Sequence, residues 1–407
     1  MSSLRRSNTF EAFQDGPFAR LWVSFCLSYV CRAIETTALP WLLLELTDSP
    51  GLVTALGAVR TAPLILVGLL AGGLVDRYSK KWVLVGSHLF SLAAALLVLV
   101  MLWTRAMRIW VIFLAAVLSG IAYAADFSSK RAYISQRFSG SRLSNALSLE
   151  YVAFTVTNIL GPLIGGSMPE MIGYLRTFVL VVALDLVDLV LLVSLAPDKA
   201  SAVKAATSRG AANVVRSMRA VWSNRPVRAV ILVTGMLNLF AYPNMQLLPV
   251  LARDVLGVGS VLHGVLRSAT GVGSLIGSLV LASLRVQRKQ AMLALGCTLM
   301  LVGWLGTGIS SVYVPSFLLL CVVGLGMAGF STTQPTIIVQ SAPGELQGLA
   351  LGALAGAIGI SPLGALWVGQ LAEARGAQAA IQLQALVGLA CLGVLIWTQL
   401  DVQKETP

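Results

Sequence analysis

Few residues in this chain could do chemistry, and most of those stand in apolar surroundings. YVCRAIETTALP carries Arg32 and Glu35, three positions apart and so on one helix face. ALDLVDLV carries Asp185 and Asp188 at the same spacing. MLNLFAYPNMQLLP places Asn238, Tyr242 and Asn244 around Pro243, and GGLVDRYSKKW gathers Asp76, Arg77, Lys80 and Lys81 within six residues. A carboxylate in an apolar run is a candidate for holding and releasing a proton. An arginine there can grip an anionic group through its planar fork. The bland alternative for Arg32 and Glu35 is a local ion pair that lets both enter hydrocarbon. For Asp185 and Asp188 it is a structural, half-protonated pair.

The elements that must position these residues follow from composition. The 407 residues are 57% hydrophobic and only 11% charged, with a mean hydropathy of +0.83. Soluble proteins average about 25% charged residues. A helix needs about 20 residues to cross a hydrocarbon core of roughly 30 Å. Apolar runs of that length recur throughout, near 18–46, 52–74, 82–103, 108–127, 144–168, 174–196, 227–249, 260–284, 290–310, 313–334, 347–370 and 379–398. The pattern predicts an all-α membrane protein of twelve transmembrane helices. No cleavable signal is expected, because Phe18 onward reads as a first span behind a polar start.

Charge placement sets the expected orientation. With the N-terminus inside, 21 of the 29 Lys and Arg fall on cytoplasmic segments or the span ends next to them and five on outer loops or their span ends, while Arg32, Arg60 and Arg267 lie deeper within spans. By the positive-inside rule both termini are cytoplasmic. The net charge of +12 is then a topology signal, and no nucleic-acid partner is expected. The cysteines sit singly in apolar runs, so neither a metal site nor a disulfide framework is expected. No phosphate-binding loop and no soluble domain is present, which argues against ATP hydrolysis and an enzyme, and no cofactor is expected.

The longest hydrophilic stretch follows the sixth run and divides the chain into halves that resemble each other. GLLAGGL from Gly68 pairs with GSLIGSL from Gly273, DFSS from Asp126 with GFST from Gly329, and GPL from Gly161 with SPL from Ser361. Three matches in order at nearly constant offset indicate a duplication, the build of many secondary transporters. The expected organisation is 1–17 cytoplasmic, 18–196 a six-helix bundle, 197–226 a cytoplasmic linker, 227–398 a second bundle and 399–407 a tail. Polar residues around Pro243, and Gln334 in a later run, are cavity candidates. Arg60 and Arg267 could equally pair with carbonyls, and His88 and His263 read as isolated.

GGLVDRYSKK fits the loop signature G-x-x-x-D-R-x-G-R-K of the major facilitator superfamily through Gly72, Asp76, Arg77, Lys80 and Lys81, with Ser79 replacing the second glycine. TNILGPLIGG resembles that superfamily's antiporter signature through Gly161, Pro162, Gly165 and Gly166. LPVLARDVLGVG, SATGVGSLIGS and SPLGALWVGQLAEARGA are similar to its bacterial macrolide-efflux and enterobactin-exporter branch.

The resemblance implies two pseudo-symmetric six-helix bundles around a cavity in the bacterial inner membrane, a likeness that runs over nearly the whole chain. It implies alternating-access export of a drug or siderophore, by proton antiport, in a monomer. An importer of the same fold and a lipid flippase are the rivals. It implies further that Asp76 and Arg77 latch the cytoplasmic faces, with Asp76 facing the span near Gly348 and Arg77 pairing with Asp126. Span 1 would line the cavity, with Arg32 and Glu35 on it, and span 6 would face away, taking Asp185 and Asp188 with it.

Overall fold

A computed structural model describes residues 11–74, 79–195, 219, 221–283 and 288–399. Among them it is helical with no strand. The helices are α1 (Gly16–Thr47), α2 (Pro50–Leu74), α3 (Lys80–Trp103) and α4 (Ile109–Arg137). A bent rod over Gly140–Val193 gives α5 (140–172) and α6 (174–193). The second half holds α7 (Arg225–Phe240), α8 (Ser260–Ser283), α9 (Lys289–Ile309), α10 (Tyr313–Ser341) and α11 (Gly344–Ile358). A second bent rod over Ser361–Thr398 gives α12 (361–375) and α13 (377–398). Seven of the described helical stretches are long and apolar enough to cross a membrane by length and composition.

The duplication is visible in the backbone. The rods bend at Gly173 (φ 82°, ψ 156°) and Gly376 (φ 81°, ψ 161°), a conformation open to residues without a Cβ. Each half also starts alike. Asp15 accepts from the Phe18 amide at 2.9 Å and Asn224 from the Val227 amide at 3.2 Å, each with a proline two positions on. A side-chain cap followed by a proline that needs no amide partner is a stable way to begin a helix.

Three element boundaries differ from the sequence reading. α4 runs to Arg137, ten residues past the expected end, because the polar stretch after Asp126 stays helical. The seventh span breaks after Phe240 into a 3₁₀ turn over Tyr242–Leu247, where Pro243 offers no amide to the ladder. The eleventh is interrupted at Gly359 and Ile360, just ahead of Pro362.

Apolar burial follows the halves. The largest core cluster is built almost wholly from residues beyond 220 and includes Trp304, Leu251 and Ile338. Smaller clusters around Phe18, Phe178 and Ile34 hold the first half together. Between the halves, α5 packs on α8 and α2 packs on the α12–α13 rod. Helix ends near Gly16 and Arg225 define the terminal end of the molecule, and the opposite end is the far end.

Candidate functional site

The buried ionisable residues are distributed unevenly. Every Asp, Glu and Lys that is buried among the described residues lies in the first half: Glu35, Lys80, Lys81, Asp126, Lys130, Glu150, Asp185 and Asp188. The buried polar residues of the second half are uncharged apart from the titratable His263. Because each buried charge in hydrocarbon is costly, such crowding in one bundle marks a site.

Glu35 is 2% exposed. Its Oε2 accepts from Ser119 of α4 at 2.7 Å, while Oε1 has no hydrogen-bond partner among the described residues. Arg32 forms no ion pair with it. The Arg32 guanidinium instead lies over the Tyr123 ring at 3.1 Å from the centroid, a cation–π contact. A cavity of about 70 Å³ separates Arg32, Glu35, Arg60, Ser119 and Tyr123. Arg60 Nε and Nη2 are buried there without a hydrogen-bond partner among the described residues.

One turn towards the terminal end, His88 of α3 bridges two helices. Its Nε2 stands 2.6 Å from Asp188 Oδ2 on α6, and its Nδ1 stands 3.2 Å from the Leu84 carbonyl and 3.9 Å from Asp126 on α4. Asp126 pairs with Lys130 at 2.7 Å, and Lys130 also donates to Ser28 at 2.8 Å. Lys130 Nζ lies 4.9 Å from the Phe25 centroid and 5.2 Å from that of Tyr29. Tyr29 donates to Glu150 at 3.0 Å. Asp185 is 1% exposed and lies beside the Cys31 thiol. Ser28, Tyr29, Arg32, Glu35, His88 and Asp126 line one small cavity, so the two polar clusters are continuous.

These positions correct several expectations. Asp185 and Asp188 of span 6 are buried within the first bundle, where Asp188 meets His88. His88 is not isolated. Asp126 lies inside α4 rather than at its end and pairs with Lys130, one turn on at i,i+4. Asp76 and Arg77 lie outside the described residues, whereas Gly348, near which Asp76 was expected to face, falls within α11. Gly72 falls within α2, and Lys80 and Lys81 open α3 as buried residues.

The second-half candidates form a neutral cluster. Gln334 donates to Thr234 Oγ1 at 2.7 Å, Asn238 to the Thr234 carbonyl at 2.9 Å and Asn244 to the Phe240 carbonyl at 3.3 Å. Tyr242 sits against Phe330, with ring centroids 6.3 Å apart. These side chains answer each other and the broken helix rather than meeting the first-half carboxylates. Arg267 of α8 does reach across. With Arg32, Tyr29, Thr36, Asn158 and Pro162 it lines a cavity of about 120 Å³ between the halves.

Hydrogen bonds and ion pairs that join the halves gather at the far end. Arg253 pairs with Asp48 at 2.7 Å and donates to the Leu44 carbonyl at 3.1 Å. Glu170 accepts from Ser260 Oγ at 2.9 Å and the Val261 amide at 3.2 Å, at the start of α8. Glu373 accepts from Ser49 Oγ at the start of α2. Trp41 stacks on His263 at 5.2 Å between centroids. The glycines of the antiporter-like motif make this closeness possible. A Cβ on Gly166 would strike the Ser260 carbonyl and Gly264, and one on Gly161 would strike Ala33. Gly165 rests on Ile34 and Thr37, and the Pro162 carbonyl meets Gly264.

Helices of both halves meet around a shared polar cavity, and the family of the chain makes this the arrangement of a membrane transporter. The chain belongs to the transmembrane secretion effector family of the major facilitator superfamily, whose model matches residues 7–406. It is 25% identical over 388 residues to a multidrug efflux pump, Tap, of Mycolicibacterium fortuitum, covering 89% of this chain and 91% of the relative. The Tap pump of Mycobacterium tuberculosis is 25% identical over 401 residues, covering 93% and 92%.

Solved structures share the fold at low identity. The nucleoside transporter NupG aligns with a TM-score of 0.70 at 14% identity, over 94% of this chain and 98% of that one. A bacterial homologue of the lysosomal transporter Spinster, in an inward-facing state, aligns at 0.71 and 12%, over 96% and 98%.

Proposed function

We propose that this chain exports amphipathic drug-like molecules from the cytoplasm in exchange for protons. It works as a monomer that crosses the bacterial inner membrane twelve times, with both termini in the cytoplasm. The observation that carries this reading is the meeting of Arg32 and Arg267, one from each half, in a cavity directly beside Glu35. A substrate held between the two arginines touches both bundles, so its binding biases their rocking. Glu35 sits within the same polar patch and changes charge when it takes a proton.

The far end is then the outer face, and its contacts close the cavity to the outside. The domain scheme is two bundles, 18–196 and 227–398, joined by the 197–226 linker. Two arginines against one carboxylate favour substrates that carry an acidic group or an electron-rich ring. The loop signature at Gly72, Asp76, Arg77, Lys80 and Lys81 supports a cytoplasmic latch that replaces the far-end contacts when the cavity turns outward. The Tap relatives support the drug class.

Purified protein in liposomes loaded with a fluorescent amphipathic anion provides the test. Efflux is followed with and without an imposed proton gradient. Gradient-driven efflux that Arg267→Ala abolishes supports the reading. Gradient-independent flux, or flux untouched by the substitution, rejects it.

A further inference from the structure

A cavity of about 700 Å³ lies in the second half, apart from both polar clusters. Its walls are Ile231 and Gly235 of α7, Ala353 and Ala357 of α11, and Ala390 and Val394 of α13. It opens on the molecular surface, where Trp222 is 38% and Val394 60% exposed. The volume falls in the range of small-molecule sites, about 300–1,000 Å³. No charged side chain lines it.

The fold does not require this opening. In the first half the corresponding helices α1, α5 and α6 close on one another. There Phe18 and Leu149 are buried in one cluster, and Trp22 Nε1 donates to the Leu149 carbonyl at 2.9 Å. In the second half α7, α11 and α13 stay apart, and small residues, Gly235, Ala353, Ala357 and Ala390, face the gap.

The mouth is at the terminal end and is rimmed by arginine. Arg228 Nη1 donates to the Trp222 carbonyl at 3.0 Å. Arg225 Nη2 donates to the Thr398 carbonyl at 3.2 Å, one turn beyond Leu395 of the cavity wall. Arg219 stands one turn before Trp222 and is exposed. The sequence has no acid between 219 and 253 or between 374 and 400. A wholly apolar slot beneath a cationic rim matches one chemistry, a chain of hydrocarbon under a negative headgroup.

We propose that this crevice is a binding site for an anionic phospholipid. One acyl chain fills the slot between α7, α11 and α13, and the headgroup phosphate lies against Arg219, Arg225 and Arg228. The chain fills the gap between the splayed helices through van der Waals contact, since lipid tails are as apolar as the walls. Juxtamembrane arginines select the anionic headgroup at about fivefold each. The lipid then acts as a wedge that keeps α11 standing off α7. The site rests on the chain being embedded in a bilayer and not on the direction or coupling of transport.

The test uses the full chain in nanodiscs of phosphatidylcholine doped with a lipid brominated near the headgroup end of its acyl chains. The dopant is either phosphatidylglycerol or phosphatidylcholine. Bromine quenches nearby tryptophan, and the Trp222→Phe protein isolates the Trp222 contribution. Brominated phosphatidylglycerol should quench Trp222 at a roughly fivefold or more lower fraction than brominated phosphatidylcholine. Arg219→Gln with Arg225→Gln and Arg228→Gln should erase that preference, whereas the Lys triple, which keeps the charge, should retain it. Gly235→Leu with Ala390→Leu should fill the slot and remove the quenching. Equal quenching by both lipids would reduce the site to ordinary annular contact, and no Trp222 quenching by either would remove lipid as the occupant. Transport assays play no part in this readout, so its failure leaves the export reading standing.

Discussion

Glu170 and Glu373 stand at matching points of the two halves, and each reaches into the opposite half. Each lies three residues before the glycine at which its rod bends, Gly173 and Gly376. Glu170 meets the start of α8 through Ser260 and Val261, and Glu373 meets the start of α2 through Ser49. A carboxylate at a helix N-terminus gains about 0.3–1 kcal/mol from the aligned peptide dipoles. Arg253 and Asp48 add a third clasp at the same end.

The paired clasps should set how often the far end opens. In a background without native cysteines, Asn158→Cys reports access to the cavity from outside. Glu170→Gln with Glu373→Gln should raise its labelling rate by a membrane-impermeant maleimide several-fold, by more than either change alone. Unaltered labelling in the double variant would show that the clasps carry no share of the closure.

Close approach of α5 and α8 makes a steric prediction. Gly166→Val would press a branched side chain against the Ser260 carbonyl and Gly264. Overpacking of this kind costs about 1–3 kcal/mol. The cost falls on the far-end-closed state alone, so the protein should insert normally and label from outside faster. Gly393→Val, at an α13 position where an added Cβ meets nothing within 4 Å, should do neither. Equal behaviour of the two variants would count against the close-packing account.

His88 and Asp188 are 2.6 Å apart and both buried, so losing one strands the other. Removing one member of a buried pair costs about 3–5 kcal/mol, and replacing both with apolar residues is often neutral. Asp188→Leu should therefore lower the yield of folded protein, and His88→Leu with Asp188→Leu should restore it. Melting temperatures in detergent decide the matter: no recovery in the double variant would mean that each residue has partners beyond the other.

Glu35→Gln should leave substrate binding largely intact and remove the response of efflux to a proton gradient. Ser119→Ala, which loses the 2.7 Å hydrogen bond but keeps the carboxyl group, should retain the response with a lower rate. Efflux from liposomes at fixed substrate and varied internal and external pH separates the two. A fully gradient-dependent Glu35→Gln protein would move the proton site to the His88, Asp126, Asp185 and Asp188 group.

Much of this was legible in the chain. Hydropathy locates the helices, because a span must be apolar wherever lipid touches it. Offsets near 203 reveal the duplication, and E-x-x-G recurs at Glu170–Gly173 and Glu373–Gly376, a signal for the far-end clasps that only the structure made meaningful. The His88 cluster was not legible. Its members come from α3, α4 and α6, and no spacing along one helix betrays a contact across three. The i,i+4 step from Asp126 to Lys130 was readable, but pairing with Arg77 competed for the same carboxylate. In span 7 the polar groups around a proline suit a cavity wall, and what no spacing could show is the hydrogen bond from Gln334, a hundred residues on, to Thr234.

The confinement of buried Asp, Glu and Lys to the first bundle has a further consequence. If the proton is taken up in the first bundle, the two descendants of the ancestral repeat have divided the work, the first holding the buried acids and the second reaching the shared cavity through Arg267. Among the described residues the second bundle has no buried Asp, Glu or Lys to protect, so away from Arg267 its helices are free to drift in sequence as long as volume and polarity are kept. Grafting residues 227–398 from a relative onto this first bundle would then change what is carried and leave the energy source untouched. A graft in the opposite sense would exchange the energy source.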